Sequence, residues 1–188
     1  MLIATMNNAL FYGIVLALAN IVLTLLSYFL GFQTDKIAME PWISIIQLAA
    51  VITVLWLGIR AAREESKDKS LTYGRGVLTG FLISLYSTLI SVAYTIIHLT
   101  YVNPAYVDYK MDAIRQKWIQ AGMSDAQMAT LEKYTRFMFT PVPMAIYLLI
   151  TFVIIGVVIS LILAAFLKRK SPAGGPPVLD TAPPAQAV

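Results

Sequence analysis

The stretch Val77–Val102, VLTGFLISLYSTLISVAYTIIHLTYV, runs for 26 residues without one Lys, Arg, Asp or Glu. At about 1.5 Å of rise per residue, a helix of that length exceeds the roughly 30 Å hydrocarbon core of a bilayer. A charge at the bilayer centre costs at least about 2.5–3.5 kcal/mol, so a run that excludes every charge reads as a membrane span. Ala9–Leu30, Pro41–Ile59 and Val142–Leu167 share the property. All 14 Lys and Arg and all 10 Asp and Glu fall between or beyond these four runs. The 188 residues are 59% hydrophobic and 13% charged, the balance of a small polytopic membrane protein. The expected fold is an all-α membrane protein with four transmembrane helices, a single membrane domain over residues 1–170.

The connections are short, with one exception. Gly31 ends the first span, and Thr34-Asp35-Lys36 lie in a loop. Pro41 suits the first turn of span 2, where a missing N–H costs nothing. Trp42 and Trp56 mark its two interfaces. Arg60 and Arg63 lead into the charged turn Glu64–Ser70. The exception, residues 103–140, reads as an amphipathic helical hairpin between spans 3 and 4. Asn103 is expected to cap its first helix with Pro104 at the first helical position. Val107, Met111, Ile114 and Trp118 recur on one face. Gly122 ends that helix, and Ser124 with Gln127 forms a capping box for the second. Lys168-Arg169-Lys170 closes span 4, and residues 171–188 form a Pro/Ala/Gly-rich tail expected to be disordered.

Orientation follows from the basic residues. Arg60, Arg63, Lys67, Lys69, Arg75, Lys168, Arg169 and Lys170 share the side of both termini, packed against span ends. Lys36, Lys110, Arg115, Lys117, Lys133 and Arg136 lie on the other side, several of them mid-loop. The positive-inside rule then places both termini in the cytoplasm. The chain has no cysteine, so single cysteines at positions 67 and 120 report orientation cleanly. In intact spheroplasts an impermeant thiol reagent should label position 120 and not 67. The opposite pattern would invert the protein.

Two spans carry stripes of small and polar residues. In span 1 they are Gly13, Ala17, Asn20, Thr24, Ser27 and Gly31; in span 3, Gly76, Gly80, Ser84, Ser87, Ser91, Thr95 and His98. Span 4 adds Gly156, Ser160 and Ala164. Small residues let helix backbones approach, and hydroxyls and amides then bond across the contact. The stripes therefore read as packing seams, or as a polar groove between spans 1 and 3 for a lipid headgroup or small solute. Asn20 and Gln47 are the amides deep in the spans, and Leu82 is expected to face lipid. His98 reads as an interfacial histidine beside Tyr94 and Tyr101.

Little in the chain points to catalysis. There is no H-E-x-x-H, no G-x-S-x-G, and no paired carboxylates in a span. Gly74-x-Gly76-x-x-x-Gly80 lacks the dinucleotide-binding spacing and follows no strand. No catalytic residue, metal site or cofactor is expected. The formal net charge of +4 sits at membrane edges, where topology and anionic lipid account for it, so no nucleic acid is implied.

The segment from Leu71-Thr72-Tyr73-Gly74 through span 3 to Asn103-Pro104, the run Ala121–Gln127 and the basic end Leu167–Lys170 carry a resemblance. Together they are similar to domain-of-unknown-function family 4199, small four-span membrane proteins of Gram-negative bacteria. The likeness covers about residues 7–170. It implies residence in the bacterial inner membrane and supplies no catalytic residues. The expected role is a non-catalytic accessory or scaffold subunit that binds another membrane protein, or its own copy, in the bilayer. Met111, Ile114 and Trp118 are the candidate docking face. The alternative is a small transporter or lipid-binding protein that uses the groove.

Overall fold

The protein is described by a computed structural model that places residues 2–66 and 69–169. The tail at 171–188, for which disorder is expected, lies outside the described residues. Among the described residues six α-helices follow in order: α1 Leu2–Phe29, α2 Glu40–Glu64, α3 Tyr73–Ile97, α4 Tyr106–Gln120, α5 Asp125–Met138 and α6 Pro141–Leu167. Among the described residues four segments are long and apolar enough to cross a membrane: Thr5–Phe29, Ile37–Glu64, Tyr73–Val102 and Pro141–Leu167. The chain is a multi-pass, all-α membrane protein.

The helices outrun the charge-free stretches because a charge limits hydrocarbon depth, not helix length. Arg60 and Arg63 sit on the last turns of α2. Arg60 stacks 5.3 Å above the Trp56 ring and bonds Glu64 at 2.8 Å, so its head reaches the interface while its stem stays on the helix. Gly31 and Gly122 end α1 and α4 with φ of 82° and 73°. After α1, Phe32 N–H bonds Ser27 C=O at 2.9 Å and Gly31 N–H bonds Tyr28 C=O at 3.0 Å. After α4, Met123 bonds Trp118 and Gly122 bonds Ile119 in the same pattern. Both are Schellman ends, which need a left-handed residue that glycine adopts without strain. The capping box of Ser124 and Gln127 is present at α5.

The cap at Asn103 is not. Helix α4 begins at Tyr106, two residues later than a cap at Asn103 predicts. Asn103 Nδ2 instead donates to Gln33 C=O at 3.3 Å, so its side chain is occupied elsewhere. Between α3 and this point the chain makes a π turn, His98–Val102, closed by Asn103 N–H to His98 C=O at 2.8 Å.

The four spans close tightly in one half only. On the side of the termini, α3 and α6 run antiparallel through the pairs Gly76 with Ala164, Gly80 with Ser160, and Ser84 with Gly156. A Cβ on Gly76 would stand 2.9 Å from that of Ala164. One on Gly80 would strike Ser160, and one on Gly156 would strike Ser84. Gly13 brings α1 against Tyr86 in the same way, with a Cβ at 2.7 Å. Ala9, Leu16, Val54, Leu55 and Ile83 form the core there, with Ile59, Leu71 and Leu167 below them. Leu82 is half-buried and packs against this core, so it does not face lipid freely; Leu89, 51% exposed, does. Two mutual backbone bonds, of 2.9 and 3.0 Å, join Leu71 to Arg169, and Asn8 Nδ2 bonds Glu65 Oε1 at 3.1 Å. They tie all four helix ends on that side.

Toward the hairpin the helices splay. No residue in 41–53 of α2 or in 141–155 of α6 is buried, and none in 18–26 of α1. The chain becomes buried again at Ser27, Gln33, His98, Asn103, Tyr106 and Met111, where the loop after α1 meets the π turn and α4.

Candidate functional site

Between the closed half and this far layer lies a cavity of about 450 Å³. Helices α1 and α3 make its polar wall. Asn20, Thr24 and Ser27 come from α1; Ser84, Ser87, Thr88, Ser91 and Thr95 come from α3. Helices α2 and α6 make its apolar wall, with Ile43, Leu48 and Val51 opposite Met144, Leu148, Phe152 and Ile155. Ser44 and Gln47 interrupt the apolar wall on α2. The volume lies within the range of ordinary ligand pockets, roughly 300–1,000 Å³.

Each small-residue stripe thus divides. Gly13, Ala17, Gly76 and Gly80 are buried in the closed half. Asn20, Thr24, Ser27, Ser87 and Ser91 line the cavity. Ser84 belongs to both, packed against Gly156 and facing the cavity. The sequence pattern continues through both halves, but the partner helices diverge.

Several cavity hydroxyls are satisfied locally: Thr24 donates to Asn20 C=O, Ser84 to Gly80 C=O and Thr95 to Ser91 C=O, each at 2.8 or 2.9 Å. Others are not. Among the described residues, the side chains of Asn20, Ser27, Gln47, Ser87 and Thr88 have no hydrogen-bond partner in the chain, and Ser91 Oγ is buried without one. An unpaired polar group in a low-dielectric interior costs on the order of 1–3 kcal/mol, so a set of them facing one space calls for a polar occupant.

The far end of the cavity is closed by a directed hydrogen-bond chain. Gln33 Nε2 donates to Thr24 C=O at 3.0 Å, which turns its Oε1 toward His98. His98 Nε2 stands 2.8 Å from that oxygen, and His98 Nδ1 stands 3.1 Å from the Tyr94 hydroxyl. The arrangement is matched throughout when Nε2–H donates to Gln33 and Nδ1 accepts from Tyr94. His98 is 2% exposed, so at its end of span 3 it bridges groups inside the fold. Tyr28 packs edge-on against it at 5.8 Å, while Tyr101 is 79% exposed and turned away.

Beside this chain, Glu40 opens α2 at the cavity rim. Its Oε1 accepts from the Tyr106 hydroxyl at 2.7 Å, and its Oε2 pairs with Lys110. Burial, then the adjacent carboxylate, push the Tyr106 phenol well above its ordinary value, so it remains a donor. Gln33, Glu40, Tyr106 and Lys110 are absent from the candidates that the sequence marks. Their partners lie 65 to 70 residues away, and nothing local signals the pairing.

The hairpin face is partly spent within the fold. Met111 is 2% exposed, and Ile114 and Trp118 are half-buried. Arg136 bonds Asp108 at 2.9 Å and Arg115 bonds Glu132 at 2.8 Å, so α4 and α5 hold each other. Among the described residues no cluster of three His, Cys, Asp or Glu could hold a metal ion.

Neither a curated protein nor a solved structure matches the chain. A family model does, over residues 11–169, which takes in most of the first span, the other three spans and the hairpin. The chain belongs to the family described as protein of unknown function DUF4199.

Proposed function

We propose that the protein binds an amphiphilic molecule that enters its cavity sideways from the bilayer. One observation carries the reading: among the described residues, six polar side chains without partners face a 450 Å³ space between the spanning helices. The splay of α2 and α6 supports the sideways route. Leu48, Phe152 and Ile155 line the cavity and are 45%, 46% and 37% exposed, so the apolar wall continues to the surface of the bundle. A polar head bonds α1 and α3, and a hydrocarbon chain leaves between α2 and α6. The placement in a bacterial inner membrane with cytoplasmic termini rests on the basic residues and the family resemblance.

Native mass spectrometry of the protein released gently from its own membrane tests the reading. The expected result is a co-purifying amphiphile whose occupancy falls severalfold in Gln47→Leu, a change on the splayed half that leaves the closed half intact. Unaltered occupancy in that variant would place the lipid elsewhere.

The second reading is the accessory subunit. Its support is the large apolar surface left on the hairpin and its junction with α6, where Tyr134, Phe137 and Val142 are 65%, 62% and 68% exposed. Of the candidate docking residues, Ile114 and Trp118 retain partial exposure and Met111 does not. A stoichiometric membrane-protein partner, recovered with the cavity empty of lipid, would favour this reading over the first.

A further inference from the structure

The polar groups that line the cavity carry almost no charge. Among the described residues, no Lys or Arg lines it, and Glu40 at the rim is its one charged side chain. Both carboxylate oxygens of Glu40 are engaged, one by Tyr106 and the other by Lys110. Lys110, the cation bonded to this rim carboxylate, is already paired. Glu40 also occupies the first turn of α2, where the helix dipole would otherwise favour an anion. What remains free are amides and hydroxyls: Asn20, Gln47, Ser27, Ser87, Thr88 and Ser91. Amides donate and accept, and hydroxyls do both. They match a head that is itself made of hydroxyls, ethers or amides. A phosphate buried here would lack a counter-charge, which is far more costly than an unpaired hydroxyl.

From this we infer that the occupant is an uncharged amphiphile whose head carries several hydroxyl or amide groups, of the glycosyl-diacylglycerol type, and not an anionic phospholipid. The inference rests on the proposed lateral binding reading and adds the chemical class of the head. The space equals the liquid volume of about fifteen water molecules. It takes one sugar-sized head and the first part of a chain.

The test uses the full chain in nanodiscs that hold monogalactosyl diacylglycerol and phosphatidylglycerol with identical acyl chains in equal amounts. Lipid retained after extraction is read by native mass spectrometry. The expected result is retention of the galactolipid over phosphatidylglycerol by about tenfold or more, roughly 1.4 kcal/mol of preference or above. Ser87→Val and Gln47→Leu should each reduce that ratio, while Leu89→Ala, on the exposed face of α3, should not. Glu40→Gln frees the Lys110 ammonium and should raise phosphatidylglycerol retention. Equal or greater retention of phosphatidylglycerol by the wild type, still sensitive to Gln47→Leu, would overturn the head class and leave lateral binding standing. Retention of both lipids at a level that no cavity variant changes would overturn the two together.

Discussion

Gly80→Ile should destabilise the whole bundle. Its side chain would enter the space held by Ser160, in the middle of a seam where Gly76 meets Ala164 and Gly156 meets Ser84. Overpacking of a filled interior costs about 1–3 kcal/mol and occasionally more, and here the obstacle is a neighbouring helix instead of a flexible side-chain tip. Thermal unfolding in detergent, followed by circular dichroism or by a fluorescent reporter, should show a large fall in the midpoint. Leu89→Ile, on the lipid side of the same helix, should change little. A reciprocal pair sharpens the test. Gly80→Ala should also lower stability, and adding Ser160→Gly should restore part of it, because the second change removes the atoms that the new Cβ strikes. Equal midpoints for Gly80→Ile and Leu89→Ile would mean that α3 and α6 do not meet along this line.

Gln33→Leu should act at the opposite end. It removes the bond to Thr24 C=O and leaves His98 Nε2–H facing a hydrocarbon side chain in a site that is 2% exposed. Leaving a buried donor unmatched costs about 1–3 kcal/mol. The loss should be local, since the closed half shares none of these bonds. Hydrogen exchange of backbone amides should speed up across the loop at 31–39 and the π turn at 98–103. Amides of α3 between Gly76 and Ser84 should keep their protection. A uniform change along the chain, or none in the loop, would contradict the division of the bundle into a closed base and a latched far end.

The spans were legible because exclusion of charge is a signal that each stretch of chain carries by itself. The α3–α6 seam was legible for a similar reason: Gly76, Gly80 and Ser84 fall on one face of a helix, and small side chains permit close approach. The same rule could not say where the seam stops. Asn20, Ser87 and Ser91 continue the stripe at the same spacing, yet they line open space, because residues 41–53 and 141–155 of the opposing helices lean away. That divergence is a property of pairs of helices and leaves no mark on either one. The latch is less legible still. Gln33 looks like an ordinary loop residue, and its link to His98 spans 65 positions. The misplaced cap has the same origin, since Asn103 satisfies a carbonyl 70 residues away instead of its own helix.

The claim that one half of the bundle is closed and the other encloses a polar cavity is tested most directly by cysteine accessibility in a chain that has no cysteine of its own. Single cysteines at Ser87, Ser91 and Gln47 should react with a small membrane-permeant maleimide in native membranes, and bulky maleimides should react more slowly. Cysteines at Ala17, Thr79 and Ser160, 0% exposed in the closed half, should stay unreacted until the protein is unfolded. Cavity positions that prove as inert as seam positions would contradict the account, as would seam positions that react as fast as Ser87→Cys.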